Sequence, residues 1–223
     1  LISGKFARGH NRGGGRYVNS SERDRVRAMQ LMRQAIANAG GATKDEQATL
    51  YFAFAEMLGG ARSGRGAWLL QSQTDLATLP DYDENNQYNS GTRGAPVDEN
   101  GDPVFYAVPN NWDAARNDGE RWRWLLAKAA ELNPKLISPT QLIWANFLNA
   151  QFGTASLAEY GWFQRAQSDG KTNESGTYEL HTLKDTETIA RLATGIKRFT
   201  LPDAYNFITL YQQMVNVLTG AVL

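Results

Sequence analysis

The chain has no cysteine, only two histidines and no excess charge of either sign, and each shortage removes a class of function. Without cysteine among its 223 residues there is no disulfide, no thiol nucleophile, no iron–sulfur cluster and no cysteine-ligated zinc. The compartment stays open, because a thiol-free chain tolerates either redox regime. Lys plus Arg and Asp plus Glu each number 23, for a net charge of 0. No global field therefore draws the chain to nucleic acid or anionic lipid. No apolar run approaches the ~20 residues of a membrane span. His10 and His181 have no ligand partner at helical spacing, so an ordinary polar role suits each better than catalysis or ligation. The G-x-S-x-G of a nucleophile elbow is missing. An initiator methionine and a signal-peptide core are missing as well, as in a processed chain or an excised piece.

What is present is globular in composition: 42% hydrophobic and 21% charged residues, in a chain long enough for a core without staples. Residues 1–19 are rich in Gly and Arg and read as an extended basic arm, since clustered glycines cost a helix too much backbone entropy. Residues 20–223 read as one helical, repeat-like domain. Ser20 or Ser21 caps a first helix with an apolar face of Val26, Met29, Leu31, Met32, Ala35 and Ile36, stopped by Gly40-Gly41 in a left-handed conformation. Thr43 and Glu46 form a capping box for a second helix, carrying Leu50, Phe54, Met57 and Leu58 and stopping at Gly59-Gly60. Together these predict an antiparallel helical hairpin.

The middle is less regular. Ala67 to Leu79 suits either a strand or a short helix, and extended structure is the preferred reading. Asn100-Gly101, between Pro96–Glu99 and Asp102–Tyr106, predicts an inserted β-hairpin over 96–106 with a type I′ turn. Helical periodicity returns at Asn111. Asp118 caps a helix carrying Trp122, Leu125, Leu126, Ala129, Ala130 and Leu132, which Asn133-Pro134 ends. Ser138-Pro139 starts another, lined by Leu142, Ile143, Phe147 and Phe152 and ended by Gly153. Gly161 to Thr177 reads as a loop. Tyr178–Leu183 and Ile196–Leu201 read as strands around a helix over Asp185–Thr194. A last amphipathic helix runs from Asp203 to Leu218. Its end lacks the polar cap of a finished helical array, so the natural protein is expected to continue past Leu223.

Motifs for chemistry are weak. Gly59 to Gly66 has the glycine spacing of a phosphate loop, but Arg65 stands in place of the lysine and Gly66 in place of the metal-binding hydroxyl. A helix end and linker account for it. Asp81, Asp83 and Asn85 match the start of a calcium loop, whose required Gly and bidentate carboxylate are replaced by Asn86 and Thr92. A solvated acidic loop is the simpler reading, and Asp98, Asn100 and Asp102 belong first to the hairpin turn. Asp118, Glu120 and Glu131 are candidates for a carboxylate pair acting on a sugar bond; capping and ion pairing with Arg121 or Arg123 is the simpler reading. The basic stretch Lys5, Arg8, Arg12, Arg16, Arg23, Arg25, Arg27 and Arg33 resembles an RNA-binding arm only superficially, with aromatics limited to Phe6 and Tyr17. Contact with the nine acids between Asp75 and Asp118 is the better reading. Trp112, Trp122 and Trp124 crowd one region. Trp122 and Trp124 sit about 200° apart on a helix, so Trp122 is assigned to the core. Trp112 and Trp124 are the candidate partner surface, with Trp124 covered by the hairpin or another domain.

Ala130-Glu131-Leu132-Asn133-Pro134 followed by a helix ending Phe152-Gly153 resembles a junction between tetratricopeptide-type repeats. A narrower resemblance runs through Asp24–Ala28, Thr74-Asp75-Leu76, Leu79–Tyr82, Gly94–Asp98, Asp118–Trp124, His181–Asp185 and Ile189–Gly195. In this order the strings resemble the N-terminal helical region of large bacterial α-2-macroglobulin-like proteins. That family traps proteases through cleavage of a bait segment, often with a Cys–Gln thioester. The resemblance implies an extracytoplasmic, non-enzymatic helical accessory domain that docks on protein, with bait, thioester and macroglobulin sandwiches elsewhere. No catalytic, cofactor or metal residue of the family maps onto this chain, and no cofactor is expected. The expected fold is mainly α: tetratricopeptide-like antiparallel helix pairs with an inserted β-hairpin. A free-standing protein-binding scaffold and a helical carbohydrate-active enzyme are the alternative functions.

Overall fold

The computed structural model describes residues 21–60, 64–81, 94–157 and 180–219. The basic arm over 1–19, His10, the calcium-loop positions Asp83, Asn85, Asn86 and Thr92, and the loop over Gly161–Thr177 lie outside them. The protein is mainly helical with a small two-stranded antiparallel sheet.

Helix α1 spans Ser21–Asn38, with Glu22 and Asp24 in its first turn, where the helix dipole favours negative charge. Val26 and Met29 are buried, and Met32 and Ile36 pack partly against the core. Leu31 is 47% exposed, so the apolar stripe is narrower than the periodicity predicted. The helix tightens into a 3-10 turn over Ala39–Gly41; neither Gly40 nor Gly41 is left-handed, which corrects the expected glycine stop. The capping box is present: the Thr43 amide donates to Glu46 Oε2 at 2.8 Å, and the Glu46 amide donates to Thr43 Oγ1 at 3.3 Å. It starts α2, Lys44–Gly60. This helix ends at Gly60, as the Gly59-Gly60 stop predicted, and the Trp122 indole lies against Gly59. A Cβ on Gly59 would sit 2.5 Å from Trp122 Nε1.

Residues 64–71 form 3-10 turns and not the extended structure expected for Ala67–Leu79. Ala67 and Leu70 are buried, three apart, which is the period of a 3-10 turn. The 96–106 hairpin exists in reduced form, as one antiparallel bridge between Val97 and Pro103. Its turn differs from the expected one. The Gly101 amide donates to the Asp98 carbonyl at 3.1 Å, making Glu99-Asn100 the central pair, and Gly101 follows at φ +82°. A tight turn followed by a left-handed glycine is a three-residue hairpin loop. The Asp98 carboxylate holds it by accepting from the amides of Asn100 and Asp102, both at 2.9 Å.

Asn117, not Asp118, caps α3 (Asp118–Leu132): its side chain accepts from the Glu120 amide. Asn133 ends α3 and accepts from the Lys135 amide to start a 3-10 turn at Pro134, so α4 (Ile137–Phe152) begins one residue before Ser138. The expected helix over Asp185–Thr194 is a strand. β1 (Glu187–Leu192) pairs antiparallel with β2 (Gly195–Thr200), with Leu192 opposite Gly195 across Ala193-Thr194. Thr188, Ile189, Ala190 and Leu192 are all buried, so the strand is covered on both faces. Such a strand shows no alternation by which to tell it from a helix. Tyr178–Leu183 is not a strand either in its described part, where Leu180–Thr182 forms a 3-10 turn. Ala95 bridges Leu192 in parallel, which joins the hairpin to the sheet edge. Gly94 makes the approach possible, since a Cβ there would sit 2.4 Å from the Leu192 backbone. The last helix, α5, is Phe207–Thr219. It is capped by Asn206, which accepts from the amides of Ile208 and Thr209 and donates to the Asp185 carbonyl at 2.8 Å.

Helix α3 is central, packed on α2 and on α4, and α4 in turn carries α5. The core is aromatic. Trp122 meets Phe147 at 4.9 Å and Trp144 at 5.8 Å between ring centroids. Phe105 joins the hairpin to Phe152 and Tyr205.

Candidate functional site

Among the described residues, three places around α3 gather buried polar groups or concave surface. The first is a buried ionic knot. Asp118 lies in the first turn of α3 with its side chain 0% exposed. Its Oδ1 accepts from the Thr74 amide at 3.1 Å and from Arg121 Nη1 at 3.0 Å, while Oδ2 accepts from Thr74 Oγ1 at 2.5 Å. Arg25 of α1 stands 3.9 Å from the same carboxylate and donates to Thr74 Oγ1 and to Glu22. Arg121 also donates to the Thr74 carbonyl at 2.8 Å. The knot thus ties α1, the 72–75 segment and α3 together. A buried carboxylate needs several such partners to offset its lost hydration. Next to it the Arg116 guanidinium reaches Glu120 at 2.6 Å. Burial pushes the Glu120 carboxyl up, but its hydrogen bonds and ion pair with Arg116 outweigh this and hold it below its ordinary range.

Each candidate carboxylate has a cationic partner. Asp118 is held by Arg121, Arg25 and Thr74, Glu120 by Arg116, and Glu131 by Lys128 at 2.6 Å. The three belong to separate ion pairs. Asp98 and Asp102 serve the hairpin, where Asp102 also pairs with Lys197. His181 is exposed in a 3-10 turn. Among the described residues no group of three or more His, Asp or Glu is placed to hold a metal ion. Among the described residues, the expected contact of the basic segment with downstream acids is seen at Arg25, which approaches Asp118, and at Arg33, which approaches Asp113 at 3.7 Å.

The expected tryptophan surface is corrected at Trp112. Trp112 is 4% exposed. It stacks on Phe54 at 5.1 Å, and the Arg33 and Arg121 guanidinium carbons each lie 4.8 Å from its ring. Trp124 is half-buried, edge-on to Tyr51 and Trp112, with its Nε1 buried and unpartnered. Its ring neighbours are Tyr51 of α2 and Trp112. Because α3 is flanked by two helices, it buries aromatics on opposite sides, which one-face reasoning did not foresee.

The second place is an apolar groove of ≈ 440 Å³ between α2, α3 and α4. Ala55, Gly59, Trp122, Ile143, Phe147 and Ala150 line it, with Glu56 and Asn146 as polar groups. The Gly59–Trp122 contact shapes one wall. The third is a cleft of ≈ 210 Å³ between α3, α4 and Val108, whose charged lining residue is Arg123. The Arg123 guanidinium stacks 3.7 Å over Trp144 and donates to the Tyr106 carbonyl at 3.0 Å. Burial pulls its pKa down to about 10, so it remains charged at neutral pH. Neither groove was legible in the sequence, because each is assembled from helices whose mutual placement no local pattern encodes. No helix among the described residues is long and apolar enough to cross a membrane. No family model, no curated protein and no solved structure matches the chain.

Proposed function

We propose that the chain is a non-enzymatic helical interaction domain, the accessory domain of an α-2-macroglobulin-like protease-trapping protein acting outside the cytoplasm. The observation that carries the interaction role is the apolar groove between α2, α3 and α4. Its volume of ≈ 440 Å³ falls in the range of sites that bury a ligand's apolar groups, about 300–1,000 Å³. Trp122 and Phe147 contribute to its lining, and aromatic anchors of this kind dominate protein–protein affinity. The short connections at 39–43 and 133–136 favour reading α1 with α2 and α3 with α4 as antiparallel pairs. Those pairs support the tetratricopeptide-like reading. The family assignment rests on the ordered strings from Asp24 to Gly195, several of which supply the residues of the Asp118 knot.

The test is binding of this chain to the polypeptide encoded downstream of it, measured by calorimetry, with Ala150→Trp as the competitor. Ala150 is exposed on α4, so the larger side chain fills the groove without entering the core. Macroglobulin sandwiches downstream, and binding weakened at least tenfold by Ala150→Trp, support the proposal. A reading frame that ends soon after Leu223 would favour the free-standing scaffold. Sandwich domains that ignore the chain, or bind the variant equally well, overturn the docking role of the groove.

A further inference from the structure

We infer that the Arg123 cleft is a receptor for one acidic side chain of a protein partner, presented in an extended segment between apolar residues. The inference rests on the reading of the chain as a protein-binding domain, and it adds the chemistry of what is bound.

The starting observation is an unmatched charge. Arg121, two residues earlier on α3, is matched by Asp118, and Arg116 by Glu120. Among the described residues no carboxylate pairs with Arg123. Its protein partners are the Tyr106 carbonyl at 3.0 Å, the Trp144 face at 3.7 Å and the Tyr205 side chain, whose ring lies 5.8 Å away and which also hydrogen-bonds the guanidinium. The Tyr205 hydroxyl is itself directed to the Tyr106 carbonyl, at 3.3 Å. Burial disfavours the cation, and an anion brought against it would offset that cost. A guanidinium is a planar fork of five donors that fits a carboxylate bidentately. One of those donors is used by Tyr106, the Tyr205 side chain also hydrogen-bonds the group, and none of the guanidinium nitrogens is both buried and unpartnered. The side chain faces the cleft, and Trp144 under it holds the fork in one plane.

Size and rim decide the class of occupant. At ≈ 210 Å³ the cleft is smaller than small-molecule sites, which run from about 300 Å³ upward, and suits a single side chain. Two exposed apolar residues lie on its lining, Val108 at 45% and Ile137 at 44%, placed to receive apolar neighbours of the acidic residue. Leu126, Ala127 and Ala130 supply an apolar floor, where a charge-assisted pair is stronger than in water. The arrangement therefore selects a carboxylate flanked by aliphatic side chains.

The test uses the whole 223-residue chain, 15N-labelled, with the capped peptides Ac-Ile-Glu-Ile-NH2 and Ac-Ile-Gln-Ile-NH2 and sodium acetate as probes. The readouts are the Arg123 Nε–H and Trp144 Nε1–H resonances. Both are expected to shift saturably with the Glu peptide, at least tenfold more tightly than with the Gln peptide or with acetate. Arg123→Met, confirmed as folded by circular dichroism, should abolish the Trp144 shift. Equal affinity for the Glu and Gln peptides, or no saturable shift, overturns the inference without needing any variant. Acetate binding as tightly as the Glu peptide overturns a protein partner in favour of a small carboxylate. Because short peptides are used, loss of this result leaves the Ala150→Trp test of the apolar groove standing on its own.

Discussion

At the scale of residues, α3 shows what burial demands of polar groups. Asp118 is fully buried with three kinds of donor around it, so its removal strands Arg121, which is 8% exposed. Breaking one side of such a pair typically costs about 3–5 kcal/mol, and Asp118→Ala should lose that much in urea denaturation. Glu120 offers a pH readout. Because folding lowers its carboxyl, the stability it adds is complete above its unfolded value of about 4.3 and is lost as pH falls through its folded value. Glu120→Gln should therefore flatten the acid limb of the stability–pH curve; an unchanged slope would contradict the Arg116–Glu120 pairing. Gly119 is required by contact and not by dihedral angle, since a Cβ there would lie 2.6 Å from the Tyr106 ring. Gly119→Ala gains roughly 1 kcal/mol of helix propensity yet overpacks a core site, a penalty of about 1–3 kcal/mol. A net loss of thermal stability is expected.

At the scale of elements, the ends and turns carry the specificity. Asn206 is 1% exposed and does two jobs, capping α5 and anchoring the strand-side carbonyl of Asp185. Loss of a cap costs about 1 kcal/mol and an orphaned buried partner about 1–3 kcal/mol, so Asn206→Ala should destabilise more than a surface cap does. The β1–β2 hairpin turns through Gly195 at φ +129° with open space around it. Gly195→Ala meets no steric neighbour there, so any loss it causes reports backbone strain alone, of order 1–3 kcal/mol. Hydrogen exchange should show that loss first in the amides of Glu187–Thr200. The Thr188 hydroxyl, which donates to the Phe152 carbonyl, ties this hairpin to the C-terminal end of α4, where carbonyls otherwise lack partners.

At the scale of the whole molecule, one contiguous core joins α1, α2, α3, α4, the 96–106 hairpin and β1. Trp122 sits within it at 2% exposure, touching Trp144 and Phe147. Trp122→Ala should cost about 3–5 kcal/mol. Trp124→Ala should cost less, because that ring is half-buried and its Nε1 already lacks an acceptor. Equal losses on chemical denaturation would show that both tryptophans are full core members. Continuity of the core also predicts that tryptophan fluorescence and far-UV circular dichroism follow a single unfolding transition. Two separated transitions would mean that the hairpin and sheet unfold apart from the helices.

Features governed by neighbours in sequence were legible from the chain alone. The Thr43–Glu46 capping box, the Asn133-Pro134 stop, the end of α4 at Gly153 and the hairpin at 96–106 each depend on a few adjacent residues and hydrogen bonds. The assignment of Trp122 to the core followed from helical spacing to Leu125, Leu126 and Ala129. Features governed by what covers an element from outside were not legible. β1 read as a helix because both its faces are buried, and Ala67–Leu79 read as extended because its partners on α3 are distant in sequence. Trp112 read as a surface because nothing local announces Phe54 above it and Arg33 and Arg121 beside it. The Asp118 knot, the apolar groove and the unmatched Arg123 join residues tens of positions apart, and only packing brings them together. Local hydrogen bonding determined where helices begin and end, while desolvation against distant neighbours decided which side chains became core and which cation packed against neutral groups instead of a carboxylate.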